Sequence, residues 1–168
     1  MIEMMVDSVR ISAVGYQRVV VLKEKTAERY LLIWVGSSEA GSIAMALQGI
    51  TPPRPLSHDL VQTFLERFGA RITKILINKL EEDTFYALIS LEANGEAFIL
   101  DARPSDAIAL ALRAKAPIYA DQSVLDKAGI VPETGPDGEP SEDKLAVFRD
   151  FINTLDLSGL SPDDQQDA

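Results

Sequence analysis

Within six residues, Asp101-Ala102-Arg103-Pro104-Ser105-Asp106 gathers two carboxylates, a guanidinium and a hydroxyl. Asp101 and Asp106 can together hold a divalent ion that activates water, while Arg103 grips a phosphate through two parallel hydrogen bonds. Ser105 adds a donor to the same phosphate. The same residues also suit a helix start, with Ser105 as N-cap, Asp106 at the positive end of the helix dipole and Arg103 paired with Asp101. The two readings are compatible, because helix N-termini also bind anions.

Arg54-Pro55-Leu56-Ser57-His58-Asp59 is a second polar junction and holds the single histidine of the chain. His58 can serve as a general base or metal ligand, Asp59 as an acid beside it and Arg54 as a phosphate contact. Neighbours at a helix start point in different directions, so His58 and Asp59 do not automatically form a dyad. As a structural reading, both fill the first helical turn and Arg54 is a surface residue. Glu39 stands near the start of an earlier helix, at the position equivalent to Asp106. If the two helix starts converge in space, Glu39 and Asp106 build one acidic site able to share the metal. Trp34 reads as core and Gln48 as surface. Phosphate loops, serine-triad signatures and nucleic-acid-reading motifs are absent from the sequence.

Positioning these groups falls to 168 residues with 46% hydrophobic and 25% charged side chains, a composition of one compact domain rather than a disordered chain. The absence of cysteine excludes disulfides, thiolate zinc sites and cysteine nucleophiles, and one histidine excludes a multi-histidine cage. A bound metal therefore rests on carboxylates, favouring Mg²⁺ or Mn²⁺. The apolar run Leu31-Leu32-Ile33-Trp34-Val35 is far below the ~20 residues of a membrane span. Acids at Glu3 and Asp7 argue against an export signal, so a cytoplasmic location is expected.

The charge of −10 is uneven: ten acids against Lys144 and Arg149 leave residues 132–168 at −8 and residues 1–131 at −2. Residues 132–140, rich in proline and glycine, read as a linker, and 141–168 as an acidic tail with one helix over Glu142 to Leu155.

Strands are expected at Met5 to Ile11, Arg18 to Leu22, Arg29 to Val35, Arg71 to Leu80, Thr84 to Glu92, Glu96 to Ala102 and Pro117 to Ala120. Asn94-Gly95 marks a type I′ hairpin. Ser37 or Ser38 can cap a first helix with Ala40, Ile43, Ala44 and Leu47 on one face and Gly49 at its end. Three prolines make Thr51 to Pro55 a loop. Ser57 caps a second helix whose Leu60, Val61, Phe64, Leu65 and Phe68 share a face. A third runs from Pro104 through Leu112, and a short fourth spans Val124 to Ala128. The fold class is α+β, a mixed, largely antiparallel sheet with helices packed on it. Ser38-Glu39-Ala40 with Ile43 to Leu47 echoes Ser105 to Leu112, a strand–helix pseudo-repeat that reflects either convergence or duplication.

Tyr30 to Gly36 followed by Glu39-Ala40, Ala46 to Leu60, Thr84-Phe85-Tyr86-Ala87, Asp101 to Ala111 and Pro117-Ile118-Tyr119 occur in the order found in the bifunctional nuclease domain family, which residues 3–131 resemble. The resemblance implies a self-associating α+β domain, a dimer being favoured, with nuclease activity on RNA and DNA. Glu39, Arg54, His58, Asp59, Asp101, Arg103, Ser105 and Asp106 match the family's polar motif positions, while their roles rest on the chemistry above.

The expected function is metal-assisted phosphodiester hydrolysis on RNA or single-stranded DNA, with weak, salt-sensitive binding because the body lacks a basic stripe. The rival is a non-catalytic dimeric binding or regulatory module. A third reading is a sensor of small anions at the two helix N-termini. Clustering of Glu39, Asp101, Asp106 and His58 favours the enzyme, and pairing of each acid with a local arginine favours the module.

Overall fold

The computed structural model describes residues 1–12, 15–131 and 155–156. Its elements are β1 (Ile2–Ser12), β2 (Arg18–Glu24), β3 (Tyr30–Val35), α1 (Ser37–Gln48), α2 (Ser57–Arg67), β4 (Ala70–Glu81), β5 (Thr84–Ala93), β6 (Glu96–Ala102), α3 (Pro104–Ala114), β7 (Ile118–Ala120), α4 (Gln122–Ala128) and the two-residue β8 (Leu155–Asp156). The strands form one sheet in the order β3-β2-β1-β7-β4-β5-β6, with β8 paired to β1. All pairings are antiparallel except β4 with β7. The fold is α+β, as the hairpin signals imply. Most of the expected tail helix lies outside the described residues; its last position, Leu155, belongs to β8 instead.

Turn chemistry sets the register. Asn94 (φ 53°) and Gly95 (φ 81°) both take the left-handed conformation that a type I′ turn requires. Glu82 (φ 45°) and Asp83 (φ 60°) do the same between β4 and β5, without the glycine that makes such a turn readable from sequence. In β5, Ala87, Ile89 and Leu91 alternate onto the buried face. In β1 and β4 the alternation slips by one. Met4 and Val6 are buried, then Val9 and Ile11, and likewise Ile72, then Ile75 and Ile77. Irregularities between Val6 and Ser8 and between Ile72 and Lys74 insert the extra residue that keeps each strand's apolar set inward.

Helix α3 lies over β4 and β5, packing against both α1 and α2, while α1 covers β1 and β2. Ala107, Ala109 and Ala111 are fully buried, and these small side chains let the backbones approach closely. The two halves of the pseudo-repeat, α1 and α3, are therefore neighbours, and their N-termini end up side by side.

The caps differ from expectation. Gly36, Leu56 and Arg103 occupy the N-cap positions, so Ser37, Ser57 and Ser105 fall inside their helices. At α2 the role of a capping side chain passes to Asp59, whose Oδ2 accepts from the Leu56 backbone N–H at 2.7 Å. At α3, Pro104 at the first helical position needs no acceptor, which leaves Ser105 to be buried. Gly49 ends α1 in the left-handed conformation, as its sequence position indicates. The shared apolar face of α2 is mostly open. Of its apolar stripe only Leu65 packs against the core, while Leu60, Val61, Phe64 and the following Phe68 are exposed. Trp34 is also half-exposed rather than core, because β3 turns it toward the face opposite the helices.

Candidate active site

Three helix starts, those of α1, α2 and α3, surround a pocket of about 350 Å³ lined by Ser38, Glu39, Ser42, Ser57, His58, Arg103 and Asp106 among others. His58 stands at its centre. Its Nδ1 lies 2.9 Å from Ser42 Oγ and its Nε2 lies 3.0 Å from Asp106 Oδ1. Asp106 also receives two hydrogen bonds from Arg103, Nε to Oδ2 at 2.7 Å and Nη2 to Oδ1 at 3.0 Å, and the same Nη2 donates to Glu39 Oε1 at 2.9 Å. One guanidinium thus bridges the first turns of α1 and α3.

Burial pushes the Asp106 carboxyl up, but hydrogen bonds and charge from Arg103 and His58 outweigh it and hold the pKa below the ordinary carboxylate value. An ionised Asp106 can only accept, so His58 Nε2 carries the hydrogen that faces it. In the neutral ring Nδ1 is then the acceptor, and Ser42 donates its hydroxyl hydrogen to it. A lone pair on Ser42 Oγ receives Arg113 Nη2 at 2.9 Å. The result is a serine–histidine–aspartate chain with the ring turned end for end relative to serine hydrolases, where Nε2 faces the hydroxyl.

Arg113 also anchors the floor. Its Nε donates to Asp59 Oδ1 at 2.6 Å and its Nη1 to the Ala109 carbonyl at 2.9 Å. Burial raises the Asp59 pKa, yet the bonds from Arg113 and from the Leu56 N–H leave it lowered overall. Asp59 therefore fastens the start of α2 to the end of α3, and its carboxylate oxygens bond to Leu56 N–H and Arg113 rather than to the His58 ring.

Of the residues singled out from sequence, Glu39, His58, Arg103 and Asp106 come together. Asp101 does not: it pairs with Leu88 and projects from the sheet face opposite the one on which Leu100 joins the buried Ile89. Successive strand residues alternate faces, so Asp101 and the helix-borne Asp106 diverge despite their short separation. Arg103 accordingly pairs with Glu39 and Asp106 rather than with Asp101. Arg54 is exposed in the loop before α2 and makes no ion pair among the described residues. Ser105 is buried and borders a neighbouring groove instead of the pocket.

Sequence reasoning missed Ser42 and Arg113. Both carried a signal: Ser42 follows Glu39 at i+3, and Arg113 follows Asp106 at i+7, so each pair lies on one helix face, beside apolar neighbours.

A shared divalent ion on Asp101, Asp106 and Glu39 does not fit this arrangement. Arg103 already occupies the space between Glu39 and Asp106, and Asp101 is on the other sheet face. Among the described residues, no group of three or more His, Asp or Glu side chains is placed to share an ion. The cation that the pocket does contain is a guanidinium.

Comparison with known proteins bears on what such a pocket does. Residues 20–133, which carry Trp34, Glu39, Ser42, Arg54, His58, Arg103, Asp106 and Arg113, match the bifunctional nuclease domain. An uncharacterized protein of Mycobacterium tuberculosis is 38% identical over 166 residues, spanning 96% of both chains. Rice (Oryza sativa subsp. japonica) bifunctional nuclease 1 is 29% identical over 139 residues, 80% of this chain and 42% of the rice protein. Rice bifunctional nuclease 2 is 30% identical over 118 residues, 68% of this chain and 36% of the rice protein. Among the described residues no helix is long and apolar enough to cross a membrane. With Glu39, His58, Arg103 and Asp106 brought to one pocket and a domain match over most of its length, the chain belongs to the bifunctional nuclease domain family.

Proposed function

We propose that the chain hydrolyses phosphodiester bonds of RNA and DNA in the pocket between α1, α2 and α3. The observation that carries this reading is the Ser42···His58···Asp106 proton path lying beside the exposed guanidinium of Arg103. Arg103 Nη1 is uncommitted among the described residues and is left to donate to a phosphate oxygen. Arg54 offers a second cation from the adjoining loop.

Both nitrogens of His58 are engaged, so its basicity reaches the substrate only through the hydroxyl on Nδ1. As a water in the pocket attacks phosphorus, its proton passes to Ser42 Oγ and the Ser42 proton passes to His58 Nδ1. Asp106 stabilises the imidazolium that forms, and Arg113 steadies the charge at Ser42 Oγ. Ser42 is itself buried, which suits relay better than direct attack. The proton held on His58 returns by the same path to the leaving oxygen.

The test is cleavage of labelled RNA and single-stranded DNA by purified protein, with Mg²⁺, Mn²⁺ or EDTA, beside His58→Gln. Cutting that survives EDTA and falls at least ~100-fold in the variant supports the relay. Cutting that EDTA abolishes removes the metal-free mechanism, and cutting by the variant at the wild-type rate places the activity elsewhere.

A second reading, the non-catalytic dimeric module, is favoured by the pairing of Glu39 and Asp106 with Arg103 and of Asp59 with Arg113. Absence of cutting in every condition selects it. Under either reading we infer self-association. Strand β6 is a sheet edge with Phe98, Ile99 and Leu100 exposed, and Phe98 and Leu100 share the sheet face that carries α2. A second copy supplies what this surface lacks, an edge strand and an apolar helix face, in an isologous contact.

A further inference from the structure

We propose that Trp34 is a base-stacking platform on a track for single-stranded nucleic acid that leads into the His58 pocket. The inference rests on the phosphodiesterase reading and names the substrate form that this site accepts.

Three concavities share walls along the surface. The His58 pocket is bounded on one side by Arg103. Arg103 also lines the next groove, of about 290 Å³, whose far wall is Trp34 with Val35 and Gly36. Those three residues in turn line a third concavity, of about 390 Å³, with Tyr16, Gln17 and Arg18. Arg103 and Trp34 thus border one groove, and Trp34, Tyr16 and Arg18 the next, around the open edge of strand β3.

Trp34 is placed by the edge strand β3, on the side away from the helices. It sits opposite Val19, which is fully buried, yet its own side chain is 50% exposed and makes no hydrogen bond or ring contact among the described residues. A lone exposed apolar side chain is ordinary, but a half-exposed tryptophan at an open sheet edge that lines two concavities, one of them sharing Arg103 with the reaction pocket, is a placed surface. Arg18 has no ion pair among the described residues and is free to take a phosphate. One carboxylate, Asp83, borders the middle groove and disfavours a phosphate at that point.

Alternating aromatic faces and guanidinium groups match a single strand, whose splayed bases offer π-faces and whose phosphates recur along the backbone. A duplex hides its base faces in the stack. The track also explains how a body of charge only −2 can hold a polyanion, since stacking supplies what a basic stripe does elsewhere. With Arg18 and Arg103 as the two phosphate contacts, the salt slope of binding is shallow, about −1.4 in log K against log salt.

Trp34 is the single tryptophan of the chain, so its fluorescence reports this surface alone. The experiment titrates full-length protein with an oligothymidylate of about ten nucleotides, reading the initial quench in a stopped-flow instrument before any cutting. It is paired with anisotropy of a labelled oligonucleotide for Trp34→Ala and Trp34→Phe. Saturable quenching, binding weakened on the order of tenfold in Trp34→Ala but retained in Trp34→Phe, and no competition by a duplex of equal length are expected. Binding without quenching, or equal binding by the folded Trp34→Ala and wild type, overturns the proposal and leaves phosphodiester hydrolysis standing. Quenching without cleavage in the parallel assay overturns the nuclease reading and leaves the track standing.

Discussion

Arg103 Nη2 lies 2.9 Å from Glu39 Oε1 across 64 positions of sequence, and this contact ties together the starts of α1 and α3. The bond is possible because the two helices pack side by side through alanines. It also means that the pocket's positive charge is delivered on a planar fork, already oriented by Asp106.

Replacing that fork separates charge from geometry. In Arg103→Lys the charge remains, but the two-point grip on Asp106 and the Nη1 donor to the substrate phosphate are lost. We expect kcat/KM on an RNA oligonucleotide to fall about 100-fold in Arg103→Ala and by a smaller but clear factor in Arg103→Lys. Equal activity of the lysine variant and wild type means that Arg103 acts only as a point charge.

The relay predicts non-additive losses. Ser42→Ala removes the hydroxyl that links His58 Nδ1 to the pocket, and His58→Gln removes the acceptor. Each lowers kcat more than it raises KM, and the double variant is no worse than His58→Gln alone, because groups acting as one unit fail together. Multiplicative losses in steady-state kinetics would show that Ser42 and His58 act independently.

Much of this fold could be read from the chain because its strongest signals are local. Asn94-Gly95 fixed the β5–β6 hairpin, Gly49 the end of α1, and the alternation of Phe85, Ala87, Ile89 and Leu91 the inner face of β5. What escaped was decided by tertiary geometry. The convergence of Glu39 with Asp106 could be framed as a condition but not settled. Asp101 was misplaced because strand alternation turns it away just before the helix begins. Trp34 read as core, and the α2 stripe only as one face, because periodicity tells which residues share a face, not what that face meets. Ser42 and Arg113 went unread since a serine in an alanine-rich helix and an arginine near a helix end both have ordinary local explanations.

The Asp59–Arg113 pair predicts where acid weakens the fold. Asp59 has a lowered pKa when folded, so between that value and the ordinary aspartate value of about 3.9 the unfolded chain binds more protons. The stabilisation is complete above pH ~4 to 5 and is lost as pH falls through the folded pKa. Denaturant melts across this range should show a shallower acid decline for Asp59→Asn than for wild type. At neutral pH, Arg113→Ala should lose about 2 kcal/mol, since Asp59 and Ser42 Oγ both lose a donor in a half-buried site. An unchanged acid profile in Asp59→Asn would assign the acid sensitivity to the other carboxylates with lowered pKa, Glu28, Asp106 and Asp121.

The exposed face of α2 carries the last prediction. Phe64 and Phe68 stack with ring centroids 6.3 Å apart, yet both are more than half exposed, and no residue of α2 is buried. A helix whose apolar stripe stays in water gains little from packing, so its stability requires another cover for that surface. We expect a second copy to provide it, so light scattering after size exclusion should give twice the 18.3 kDa of one chain. Phe64→Glu with Phe68→Glu should give the monomer mass while far-ultraviolet circular dichroism is kept, because neither side chain belongs to the monomer's core. A wild type that is monomeric at tens of micromolar, or a double variant that remains dimeric, would show that these phenylalanines face something other than a copy of the chain. If the dimer forms as expected, its loss should leave the His58 pocket intact, since Ser42, His58, Arg103 and Asp106 all come from one chain.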